Sequence, residues 1–249
     1  LFIVFFIYQT FAFSKTTDGL DFNPKYVSNY LAAIISENNH NSEDSIKYFN
    51  SSKILINKHE EYLKKYAINL AANGEVQKSI NIIKQNRNKN NSKFFEASLL
   101  LLIDNFKKKK FDENIKLFNE FERYRSYGNY EYIIYEVLKS YNDLFLTKEI
   151  NLNNEKFGKL SLINEAFQYC YLNKPEASSA FINLINSDEG DYTRYLFFYF
   201  NNLIRNKDFE TPKQILKTIN VLESNLLIQQ SKKWLDESNY NKFSQIFSC

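Results

Sequence analysis

The residues able to do chemistry are few and far apart. His40 and His59 are the only histidines in 249 residues, and Cys170 and Cys249 the only cysteines. A metal site needs three or four ligands converging on one point, with paired spacing along a loop or a helix face. His40 falls in an Asn-rich stretch that reads as a turn. His59 is flanked by Glu60 and Glu61, which a helix would point elsewhere. Both histidines are read as surface residues, and no metal and no cofactor is expected. A nucleophilic cysteine needs a base or a cation beside it to lower its pKa. Cys170 lies instead in an apolar run with Phe167, Tyr169 and Tyr171, and reads as a small buried or groove-lining side chain. The two cysteines form no CxxC pair, and no disulfide framework is read from them. No glycine-rich phosphate loop or nucleophile elbow is present. No catalytic residue is assigned, and the chain is read as non-enzymatic.

Charge excludes a further class of function. With 32 basic and 29 acidic residues the net charge is +3, too near balance to imply a nucleic-acid partner. Lys107–Lys110 is the one dense basic run. It sits where a helix should end, so it complements the negative end of the helix dipole and stays solvated.

What must position these side chains is a set of helices. Five glycines and three prolines are too few for the many turns of a sheet-rich fold, and favour long helices with short connections. Apolar residues recur at three- and four-residue steps, as in Val27, Tyr30, Leu31, Ile34 and Ile35. The pattern then repeats. Ser45-Ile46, Ser79-Ile80 and Asn114-Ile115 follow one another at steps of 34 and 35 residues, and Ser178 and Thr211 are 33 apart. A period near 34 marks stacked helical hairpins. Residues 26–222 read as the array, with an irregular unit near 129–157 whose second helix is short or absent. Residues 223–249 read as a further helix or a truncated unit. Trp234, Leu235 and Phe247 are expected to lie open there, making self-association possible. Residues 1–14 are uncharged and rich in Phe and Ile, and read as the core of a secretory signal cleaved after Ala12-Phe13-Ser14, with its start missing. Residues 15–25 read as a linker. Membrane contact is expected only if the first segment is retained.

The hairpins resemble tetratricopeptide repeats. That family places small residues at its eighth and twentieth positions and a large one at the twenty-fourth. The matching residues are Ala33, Ala67 and Ala166; Ser45, Ser79 and Ser178; and Phe49, Ile83 and Ile182. Leu102 and Tyr199 depart from the small-residue rule, and only Gly74 matches the family's glycine. The resemblance implies an all-α, right-handed α-solenoid of stacked antiparallel helical hairpins. It also implies a concave groove lined by the first helix of each hairpin. Carried over by position, the partner-binding residues are Tyr30, Ile34, Lys64, Ile68, Leu99, Ile103, Ile163, Phe167, Leu196 and Phe200. That groove is mostly apolar and suits a partner peptide or helix. In its order of signal, linker and array the chain is similar to exported tetratricopeptide proteins of alphaproteobacteria, which implies the periplasm of a Gram-negative bacterium. Two other readings stay open: a membrane-tethered envelope assembly factor, and the regulatory arm of a longer enzyme.

Overall fold

The computed structural model describes residues 23–124, 129–152, 157–187, 193–218 and 226–249. The signal segment and most of the expected linker lie outside these residues. Among them the chain has no strand, and its helices pack in successive pairs. The first hairpin is α1 (Pro24–Asn38) with α2 (Ser42–Ser51), and the second is α3 (Tyr62–Ala72) with α4 (Val76–Gln85). The third is α5 (Phe95–Lys107) with α6 (Phe111–Phe121). Next comes α7 (Tyr130–Thr147), with no second helix of its own among the described residues. The pattern resumes with α8 (Lys159–Tyr171) and α9 (Ala177–Ile185), then α10 (Thr193–Arg205) and α11 (Glu210–Thr218). The last pair is α12 (Leu226–Asp236) and α13 (Asn241–Ile246).

One turn chemistry closes each of the six hairpins among the described residues. His40, Gly74, Lys109, Asn173, Lys207 and Ser238 each adopt positive φ, between 55° and 80°. At each, the residue's own N–H bonds the carbonyl three residues back, and the next N–H bonds the carbonyl five back. Gly74 to Ala71 and Glu75 to Leu70 show the pattern, at 3.1 and 2.9 Å. This left-handed cap satisfies the carbonyls that a helix end leaves without partners. Only one of the six is glycine. The other five carry the steric cost of a Cβ in that conformation.

The helices of a hairpin meet at the small residues. Ala33 and Ala67 are fully buried. The Ser45 hydroxyl donates to the Ala33 carbonyl at 3.0 Å, and that of Ser79 to Ala67 at 2.7 Å. Each bond ties the second helix to the backbone of the first where no larger side chain would fit. Phe49 and Ile83 are buried beside them. The hairpin of α8 and α9 departs from this plan. Ala166 is fully buried, but Ser178 is half-buried and bonds Asn202 at 2.8 Å. Ile182 is 41% exposed, and Phe181 is buried in its place. The Lys174-Pro175-Glu176 turn delays the start of α9, which begins four residues after its left-handed residue, where α2, α4 and α6 begin two after theirs. The buried face is consequently offset by one position.

The chain divides into two compact units, Leu1–Ala97 and Ser98–Cys249. In the first, Phe49, Tyr62 and Tyr66 form an aromatic core with Ala33, Leu55 and Leu70. The Tyr62 hydroxyl bonds the Phe49 carbonyl and lies 3.3 Å from that of Ser52, so a buried polar group is satisfied. In the second, α8 to α13 share a core that includes Phe181, Phe197, Phe200, Trp234 and Phe243. A polar layer joins α7 to α8: Gln168, fully buried, clamps the backbone of Asn151 through both its amide atoms at 2.9 Å.

Two expectations are corrected in the second unit. Trp234, Leu235 and Phe247 do not lie open. They are buried by the same chain, because α13 folds back onto α10 and seats Phe243 and Phe247 in the core. And Cys170 and Cys249 form a disulfide, with Cα atoms 5.8 Å apart across a sequence separation of 79. Their spacing gave no sign of it, since only the packing of α8 to α13 brings them together.

Candidate functional site

In the first unit the expected groove residues lie on α1 and α3. Tyr30 is half-buried, its ring 4.7 Å from His59 and 5.5 Å from Tyr62. Burial, and after it the charges of Glu61 and Glu37, raise its hydroxyl pKa, so the hydroxyl stays a neutral donor. Ile34 packs against the core and Ile68 is half-buried. Lys64 is 3.6 Å from Glu96, so its charge is already offset within the unit. A cleft of about 330 Å³ of mixed character lies beside α2, α3 and α4, lined by Asn50, Tyr66, Leu70, Glu75, Lys78 and Ile82 among others. Its groups answer one another: Tyr66 donates to Asn50 at 2.7 Å, and Lys78 pairs with Glu75 at 2.7 Å.

In the second unit, Leu99 is half-buried and Ile103 is 49% exposed. Ile163 and Phe167 on α8 are half-buried and open to one side. Leu196 and Phe200, expected to line the groove, lie in the helical core instead. They are 4% and 0% exposed, and Phe200 packs against Phe197 and Phe243. Tyr195 and Phe198, on another face of α10, are the half-buried residues there. Phe167 lies 4.9 Å from Phe198 and 6.0 Å from Tyr195, both edge-on. Tyr141 on α7 extends the row. Burial first, and then neighbouring Tyr195, push its pKa up to about 12. Tyr141, Ile163, Phe167, Tyr195 and Phe198 are all half-buried. Phe167, Tyr195 and Phe198 make an aromatic strip across α8 and α10, which Tyr141 of α7 adjoins beside Tyr195.

The sequence concealed this face for a definite reason. Residues 195–200 are Tyr, Leu, Phe, Phe, Tyr and Phe, and a wholly apolar run carries no periodicity from which to choose a side. The one usable signal was Asn201-Asn202. Two adjacent amides in such a helix are buried only with partners. Asn201 bonds the Phe247 carbonyl at 3.0 Å and the Ser244 hydroxyl at 2.9 Å, while Asn202 receives Ser178. Those bonds turn the amides toward α13 and α9.

The remaining chemistry-bearing residues do not converge. Among the described residues no group of three or more His, Cys, Asp or Glu is placed to hold a metal. No helix among them is long and apolar enough to cross a membrane. In the basic run, Lys108 pairs with Asp104 at 2.7 Å and Lys110 with Glu113 at 2.6 Å, so half of its charge is answered locally. No family model, curated protein or solved structure matches the chain.

Proposed function

We propose that this chain is a non-enzymatic tetratricopeptide-like scaffold, a right-handed solenoid that holds a partner peptide or helix along the first helices of its hairpins. The observation that carries this reading is the aromatic strip on α8 and α10, with Tyr141 of α7 beside it. Rigid aromatic rings that are half open supply large contact area at little entropic cost, which is what a binding anchor needs. The hydroxyls of Tyr141 and Tyr195 give the orientation that rings alone do not. An amphipathic helix, laying an apolar stripe against such a row, fits better than a charged peptide. The repeated caps and the serine bonds at Ala33 and Ala67 support the repeat architecture. The disulfide supports an oxidising compartment, in keeping with export to the periplasm.

The experiment is capture of partners from envelope extracts by the exported protein, with Phe167→Ala and Phe198→Ala beside it. Both variants should lose the captured partner and keep the wild-type circular dichroism. Retained capture in both would remove the strip as the binding face. The export half is read from the mature protein, whose first residue should be Lys15.

A further inference from the structure

The disulfide and the aromatic strip belong to one closed circuit. Cys170 lies one helical turn after Phe167 on α8. Phe167 touches Phe198 on α10, at 4.9 Å. Phe198 in turn meets Phe247 edge-on at 5.5 Å, and Phe247 precedes Cys249 by two residues. The Cys170–Cys249 bond closes the ring. Phe247 also stacks on Phe197 at 5.3 Å, and its carbonyl accepts from Asn201. The helix that carries this tail, α13, has only six residues, too few to hold its own shape without docking. The two cysteines differ in burial: Cys170 is fully buried, whereas Cys249 is partly exposed.

We infer that the Cys170–Cys249 bond is a redox latch, whose oxidation straps α13 and Phe247 against α10 and thereby sets Phe198 in the binding strip. The partner at the latch is a thiol–disulfide exchange protein or a small dithiol. A dithiol's thiolate attacks the sulfur of Cys249, the less buried of the two residues, and the Cys170–Cys249 bond breaks. Cys170 leaves as a thiolate and takes up a proton. The second thiolate of the dithiol then resolves the mixed disulfide and frees Cys249, which is protonated in turn. Two electrons pass to the protein, and the dithiol becomes a cyclic disulfide. Oxidation by a disulfide-bearing donor is the same sequence reversed. The strap is a property of the chain itself; its consequence for binding rests on the reading of the strip given above.

The test is hydrogen–deuterium exchange on the full chain, oxidised and after dithiothreitol, followed by peptides spanning 193–205 and 241–249. Reduction should cost protection in 241–249 and, through Phe247, in 193–205, while the peptides of α1 to α4 keep theirs. Cys249→Ser should reproduce the reduced pattern. Phe247→Ala keeps the covalent bond and removes the stacked ring, so loss of protection in 193–205 in this variant assigns the link to α10 to Phe247 and not to the bond alone. Unchanged exchange in 241–249 on reduction overturns the latch. Loosening of 241–249 alone, with 193–205 unmoved in both the reduced chain and Phe247→Ala, overturns its link to the strip. None of these readouts needs the partner, so a failed partner capture with the expected exchange pattern would count against the binding reading and leave the latch standing.

Discussion

Ala67→Leu tests the hairpin contact where it is tightest. Ala67 has no exposed surface, and its carbonyl receives the Ser79 hydroxyl at 2.7 Å. Three added carbon atoms must enter a space already occupied by α4, so α3 and α4 separate or leucine leaves its preferred rotamer. Overpacking of this kind costs about 1–3 kcal/mol. The separation also stretches the serine bond, whose net worth is roughly 1 kcal/mol. Ser79→Ala alone should therefore cost on that order. The double variant should cost less than the sum, because both changes act on one contact. In a unit of this size each kcal/mol moves Tm by roughly 4–8 °C. The control is Ala72→Leu on the same helix, where Ala72 is exposed, and where the change should be near neutral. Thermal melts by circular dichroism give all four values. If Ala67→Leu proves as harmless as Ala72→Leu, the small residues do not set the distance between hairpin helices, and the repeat argument loses its main support.

The left-handed caps give a second expectation. Lys109→Gly and Lys207→Gly should each raise stability by roughly 1 kcal/mol, since both sit at positive φ with a side chain. Gly74→Ala should lose a similar amount from backbone strain alone, because a Cβ there would meet nothing within 4 Å. Reduction of the disulfide, which spans 79 residues, should cost about 4 kcal/mol by chain entropy, seen as a lower Tm for the second unit with dithiothreitol, and the Cys170→Ser/Cys249→Ser variant should already melt at the lower Tm and not respond to dithiothreitol. Alkaline pH should destabilise the fold through its buried tyrosines. Burial pushes both Tyr66 and Tyr141 up to about 12, above the unfolded value near 10. Their contribution is therefore complete below about pH 10 and is lost as pH rises toward 12. Chemical denaturation across that range should show the decline, and Tyr141→Phe should flatten part of it.

Much of the fold was legible in the sequence because hairpin repeats are local. Apolar residues at three- and four-residue steps specify each helix, and a 34-residue recurrence of Ser45 and Ser79 announces the pairing. The register follows from sterics within some twelve residues, the distance from Ala33 to Ser45. What lay beyond that range was decided by tertiary packing. In α9, a turn containing Pro175 offset the buried face and exchanged Ile182 for Phe181. In α10, six consecutive apolar residues left the open side undetermined, until the partners of Asn201 and Asn202 oriented it and left Tyr195 and Phe198 half-buried while Leu196 and Phe200 entered the core. Cys170 and Cys249 met only because α13 returned to α10. A sequence records which groups seek burial at short range. Which of several apolar faces is left open, and which distant ends meet, depends on competition among neighbouring helices for the same core, and that is settled only when all of them are in place.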